Sequence, residues 1–221
     1  MLRICLLIVT AASLYGGSPA SAEGGERLPD LTEAGAAEWL PADAGRWRFE
    51  DGSIHGRTPV FDGAKTDPQA SAFLESRRLF AGNKSVEVDL DFDHGRYFGI
   101  YFDYDPETES GIWMATGHPL SAGDRIHNVE SAYIKTVDDG HWIVRATGEL
   151  DVTPGVPLTL RFERSGDDYR IWQDDRLVLT YRKPGGYPAG KLRLRLVNAA
   201  ARIDRLSVTA DAITAEPIDG P

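Results

Sequence analysis

Glu87, Asp89 and Asp91 are the first residues in this chain whose type and spacing could do chemistry. They sit in Ser85–Asp93, where Val86, Val88, Leu90 and Phe92 alternate with Glu87, Asp89, Asp91 and Asp93. A strand sends successive side chains to opposite faces, so this period of two predicts a strand with one apolar and one acidic face. Side chains two apart on one face stand ~6–7 Å from each other. Glycoside hydrolysis uses two carboxyl groups about 5–5.5 Å apart for retention or about 6.5–9.5 Å apart for inversion, and this row has that spacing. The other reading is a solvated strand face, neutralised by Lys191, Arg193 and Arg195 if they lie on a neighbouring strand.

Aromatic residues supply the second candidate chemistry. If Val88, Leu90 and Phe92 point inward, Ile100 and Phe102 do so on the next strand. Tyr101 and Asp103 then share the outer face with the carboxylates. Trp113 flanks them if Ile112 and Met114 are the core positions; otherwise Trp113 is itself core. Flat aromatic faces stack on sugar rings while carboxylates accept hydrogen bonds from hydroxyls. The candidate saccharide contacts are Tyr101, Asp103, Trp113, His127, Glu130, Tyr133 and Trp142. His127 with Glu130 is also a candidate acid/base pair, beside Glu87, Asp89 and Asp91.

Asp103, Asp105 and Glu107 present oxygen ligands at alternating positions, as a structural calcium ion would need. The stretch lacks the glycine at position six and the glutamate at position twelve of an EF-hand loop. A plain acidic turn around Pro106 is the alternative. The five histidines show no zinc-site spacing. Neither a serine-nucleophile elbow nor a phosphate-binding glycine loop is visible, so no organic cofactor is implied.

Residues 1–22 read as a secretory signal peptide: Arg3, an apolar run through Val9, and Ala20-Ser-Ala22 before the cut. The run is too short for a permanent anchor, so an exported, periplasmic or extracellular protein without a membrane anchor is expected. The single cysteine, Cys5, falls inside this leader, which removes disulfides and thiolate chemistry from the mature chain. A formal net charge of −10 argues against nucleic acid and favours a neutral or basic glycan, or a metal ion, as partner.

The elements that must position these residues are almost all strands. Candidates are 47–50, 72–80, 86–92, 97–104, 111–116, 128–137, 141–146, 158–163, 169–173, 177–181, 191–196 and 202–208. Turn residues separate them at the spacing of an all-β sandwich. Leu158, Leu160 and Phe162, like Leu192, Leu194 and Leu196, alternate with polar residues, as two stacked antiparallel sheets require. The fold expected is all-β, a two-sheet antiparallel jelly-roll sandwich with little helix, over residues 45–209. Residues 23–44 form an N-terminal segment, with one short helix after the capping-box pattern Asp30-Leu-Thr-Glu33. Residues 210–221 lack periodicity and are expected to be a disordered tail.

The order of these signals resembles the concanavalin-like lectin and glucanase jelly rolls, in particular laminin-G-like and 3-keto-disaccharide-hydrolase-like domains. The resemblance rests on Gly45–Gly56, Ser85–Phe92 followed by Phe98-Gly-Ile-Tyr-Phe102, the hairpin 158–179, and the closing stretches Gly190–Leu196 and Ala201–Val208. Glu87, Asp89 and Asp91 also resemble the Glu-x-Asp-x-Glu strand of family-sixteen glucanases, with Asp91 in place of the last glutamate. The resemblance implies a saccharide or polysaccharide partner. Binding alone, a glycoside hydrolase or polysaccharide lyase, and a laminin-G-like protein-interaction module all occur on such a scaffold.

Overall fold

The computed structural model describes residues 25–29, 33–42, 46–58, 71–95, 97–116, 131–153 and 155–215. The leader at 1–22, His127 and Glu130 lie outside these. In chain order the first elements are β1 (Glu26–Arg27), α1 (Glu33–Ala36), β2 (Trp39–Pro41), β3 (Trp47–Glu50), β4 (Ser53–Arg57) and β5 (Ser71–Ser76). Next come β6 (Arg78–His94), β7 (Phe98–Asp105), β8 (Ser110–Thr116), β9 (Ser131–Asp138) and β10 (His141–Glu149). The chain continues through β11 (Leu158–Ser165), β12 (Asp168–Gln173), β13 (Arg176–Arg182), β14 (Lys191–Val197) and β15 (Ala200–Ala215).

Among the described residues the strands form two antiparallel sheets, the sandwich that the alternation implies. One has eight strands in the order β13-β12-β11-β6-β15-β4-β3, with β1 also paired to β15. The other has seven, in the order β10-β9-β8-β7-β14-β5-β2. Between them Val86, Val88, Leu90 and Phe92 of β6 meet Phe98, Ile100 and Phe102 of β7, with Leu160, Phe162, Leu192, Leu194 and Leu196 in the same buried core. Each such side chain taken out of water stabilises the fold by roughly 1.5–3 kcal/mol.

The structure moves three boundaries. The expected strand 72–80 breaks between β5 and β6, where the chain leaves one sheet for the other. β6 then runs unbroken from Arg78 to His94, bending at Gly82, whose φ is +71°. The supposed tail from residue 210 is strand as far as Ala215: Ile213, Thr214 and Ala215 pair with Phe80, Leu79 and Arg78. No alternation in Asp211–Ala215 signals this, because the pairing partner rather than the local sequence makes it a strand.

The fourth change bears on function. β6 and β7 are consecutive in sequence but belong to different sheets. The outer face of β6 and the outer face of β7 therefore look out from opposite sides of the sandwich, and the carboxylate row cannot share a face with Tyr101.

Candidate functional site

On the eight-stranded sheet, Glu87, Asp89 and Asp91 do project outward, with an arginine bound to the first two and another within ion-pair distance of the third. Arg205 of β15 donates from Nε and Nη2 to Asp89 at 2.7 and 3.0 Å, and its Nη1 lies 2.6 Å from Glu87 Oε1. Thr159 Oγ1 donates to Asp89 Oδ1 at 2.8 Å, and Arg202 stands 3.7 Å from Asp91. The neutralising charges come from β15; Lys191, Arg193 and Arg195 lie in the other sheet. This is a cross-strand ion network on a solvated face.

Arg205 and Thr159 hold the Asp89 carboxyl below the usual range. A depressed carboxyl pKa adds stability above its unfolded value of ~3.9 and loses it as the pH falls further. Asp89→Asn should therefore lower the melting temperature slightly at neutral pH, a partly exposed pair being worth at most about 1 kcal/mol. By about pH 2 variant and parent should melt together. A gap that persists in acid would assign the loss to packing instead.

Asp103 does not face outward. Its φ of +55° and the register shift between Phe102 and Asp105 reverse the parity of β7, so its carboxylate enters the core. Oδ1 accepts a hydrogen bond from Lys84 Nζ at 2.5 Å, and Oδ2 accepts from Arg164 Nη1 and from Tyr169 OH, both at 2.9 Å. The site ties β7 of one sheet to β6, β11 and β12 of the other. Burial pushes the Lys84 ammonium down despite Asp103.

Of the three candidate calcium ligands Asp103, Asp105 and Glu107, the first two are turned to different protein partners. Asp103 serves the core, while Asp105 accepts from the Glu107 N–H and from Thr108 Oγ1 at 2.9 and 2.8 Å, closing its own turn. Among the described residues no group of three or more His, Cys, Asp or Glu side chains could hold a metal ion.

Four other predicted residues come together. On the outward face of the seven-stranded sheet one cross-strand row reads Lys135, Trp113, Tyr101, Arg193, Glu75, from β9 to β5. The adjacent row reads Tyr133, Ala115, Gly99, Arg195, Phe73. Gly99 is required here: a Cβ would sit 2.5 Å from the Trp113 ring. Trp113 packs at 4.5 Å from Tyr101 and 6.1 Å from Tyr97, centroid to centroid. It is fully buried, although it belongs to the outward face. Tyr97, Tyr101, Tyr104, Trp113 and Tyr133 form a second apolar cluster outside the main core.

Trp142 of β10 lies over this floor, 5.7 Å from Tyr101 and 6.1 Å from Trp113, with both contacts edge to face. It remains 41% exposed. Beside it opens a cavity of about 260 Å³ lined by Phe73, Tyr101, Tyr104, Glu109, Arg193 and Arg195, with Trp142 on its wall. That is slightly under the roughly 300–1,000 Å³ of small-molecule pockets, so it suits one ring-sized group. Arg193 Nη1 donates to Tyr104 OH at 2.7 Å, and Arg195 donates from Nε and Nη2 to Ser71 Oγ at 3.0 and 2.9 Å. Burial pushes the Tyr101 phenol up, so it stays a protonated donor.

The predicted Tyr101, Trp113, Tyr133 and Trp142 thus converge, while Asp103 does not join them and Glu87, Asp89 and Asp91 sit on the far sheet. Phe73, Tyr104 and Glu109 escape sequence reasoning. Arg193 and Arg195 were visible as a basic stripe, but only the strand order shows that they border aromatic rings. The Arg193 guanidinium carbon is 4.0 Å from the Phe73 ring centroid, and that of Arg195 is 5.5 Å from Trp142.

No family model matches the chain, and no curated protein matches it. Solved structures do. The carbohydrate-binding module CBM66 from Bacillus subtilis superposes with a TM-score of 0.59 at 17% identity, over 78% of this chain and 96% of that one. The Emp47p carbohydrate recognition domain gives 0.59 at 14% identity, covering 89% and 100%. A Bacillus licheniformis beta-glucanase gives 0.63 at 12% identity, covering 87% and 100%. The chain has the concanavalin-like lectin and glucanase jelly-roll fold.

Proposed function

We propose that the protein binds a saccharide on the outward face of the seven-stranded sheet, and that it is exported to do so. The observation that carries the reading is Trp142, a large ring left open to solvent on an aromatic floor beside a ring-sized cavity. A sugar ring stacks on Trp142 by its apolar C–H face. Its hydroxyls meet Tyr104, Glu109, Arg193 and Arg195, which line the cavity. Solved structures of this fold that carry binding modules and recognition domains support the same choice.

Binding is preferred to turnover on geometry. Glycoside hydrolysis uses two carboxyl groups around one bond. Among the described residues Glu109 is the single carboxylate lining the cavity, and the carboxylate row lies on the other sheet. The leader-like residues 1–22 support export, and a secreted form beginning at Glu23 on mass spectrometry would bear that part out.

Isothermal titration against a panel of oligosaccharides tests the binding. One or more should bind, and Trp142→Ala should weaken that ligand at least about 30-fold, as truncating a central aromatic commonly costs 2 kcal/mol or more. The variant should keep the parent's melting temperature within a few degrees, since the ring is exposed. Unchanged affinity in Trp142→Ala would place any binding elsewhere.

A further inference from the structure

Resting on that reading, we propose that the saccharide is an acidic one, with the anionic group of a sugar ring held beside Trp142 by Lys135 and Arg195. The chain as a whole carries −10. This face has the opposite sign: Lys135, Lys191, Arg193 and Arg195 stand against Glu75, Glu109 and, at the far end of β10, Glu149. Glu75 is already taken, 2.9 Å from Lys191 and 3.7 Å from Arg193. Glu109 lies at the rim, beside Gly140.

Lys135 and Arg195 are left facing rings. Lys135 Nζ lies 4.6 Å from the Tyr133 centroid and 5.6 Å from that of Trp142. The Arg195 guanidinium carbon lies 5.5 Å from the same Trp142 ring. Its hydrogen bonds to Ser71 occupy Nε and Nη2 and leave further N–H donors for a ligand. Among the described residues neither cation has a carboxylate within ion-pair distance. Burial, and then the Arg195 charge, push the Lys135 ammonium down: two like charges share a half-buried space. An anion between them relieves the repulsion, and its pull is stronger there than in bulk water. A neutral sugar stacked on Trp142 would leave both cations unanswered, which is how such a face discriminates.

The acidic group could be a ring carboxylate or a sulfate, and the probes separate the two. The protein is titrated with oligogalacturonate and its carboxyl-reduced neutral form, then with dextran sulfate and dextran. At least one acidic probe should bind about tenfold or more tighter than its neutral counterpart, the scale of one charge-assisted hydrogen bond. The preference should narrow in high salt. It should narrow again in Lys135→Gln and in Arg195→Gln, each checked for an unchanged circular-dichroism spectrum. If Arg195→Gln fails to fold, Lys135→Gln decides alone. Equal affinity for acidic and neutral forms, both lost in Trp142→Ala, would overturn the charge proposal and leave the saccharide reading standing. Binding indifferent to Trp142, or none by any probe, would sink both. An acidic preference that survives the cation substitutions would place the anion elsewhere and overturn the proposal.

Discussion

Asp103→Ala is expected to cost the fold about 3–5 kcal/mol, the penalty for leaving a buried charge without its partner. The Lys84 and Asp103 side chains are fully buried, and Arg164 is 12% exposed. With the carboxylate gone, Lys84 Nζ keeps the Phe80 carbonyl at 2.6 Å but loses its counter-charge. Tyr169 loses the acceptor of its hydroxyl. Urea denaturation should show the midpoint falling while the slope holds. The deficit should also shrink in alkali. Burial sets the Lys84 pKa below its unfolded value, so the unfolded chain binds more protons and stability rises with pH toward ~10.4. In Asp103→Ala the ammonium has less to hold it, so the neutral amine relieves the variant first. Adding Lys84→Met to Asp103→Ala should recover part of the loss, because it removes the stranded ammonium while Tyr169 and Arg164 still lack their acceptor. A cost below about 1 kcal/mol for Asp103→Ala would mean that water reaches the pair.

This pair also shows where the sequence could and could not be read. The inward phase of β6, set by Val86, Val88, Leu90 and Phe92, extends back two residues to Lys84. A lysine in a core phase demands a buried acid, so half of the network was legible. The acid itself was not. Counting from Ile100 and Phe102 puts Asp103 outside, and only a left-handed backbone at that residue brings it in. Aspartate tolerates that conformation better than most residues, but no local pattern announces it.

The fold was legible because strands such as β5, β6, β11 and β12 are half-buried and carry the period of two. The distribution of strands between sheets was not. A strand's alternation tells which of its residues face the core, and says nothing of which sheet supplies its other face. Tyr101 and Glu87 share an outward parity and look out from opposite sides of the molecule. The same ambiguity hid the partners of the basic stripe: Arg193 and Arg195 were read as counter-charges to carboxylates and prove to border Phe73, Tyr101 and Trp142. Glu109 and Tyr104 enter the cavity through the bulge and turn between β7 and β8, where periodicity ends.

Trp113 is the residue on which fold and function meet, and Trp113→Ala is expected to lose both. Removing a fully buried tryptophan commonly costs about 3–5 kcal/mol. Here the loss strips the outer cluster of the ring that touches Tyr97, Tyr101 and Trp142 together. The Arg195 guanidinium carbon, 5.7 Å from the Trp113 centroid, would lose part of its support as well. Gly99 offers no side chain to fill the space. Trp142 would then have no floor, so saccharide affinity should fall at least as far as in Trp142→Ala, with the near-ultraviolet dichroism of the cluster. The two variants differ in one readout: Trp142→Ala loses binding at nearly unchanged stability, and Trp113→Ala loses stability too. Trp113→Phe should restore much of the stability while leaving binding weakened, because a smaller ring cannot reach both Tyr101 and Trp142. Full binding in Trp113→Ala would mean that Trp142 holds its position without the stack beneath it. The sequence left Trp113 open between platform and core. Its outward parity and complete burial make it the core of a second, outer layer, and that layer keeps Trp142 exposed and fixed.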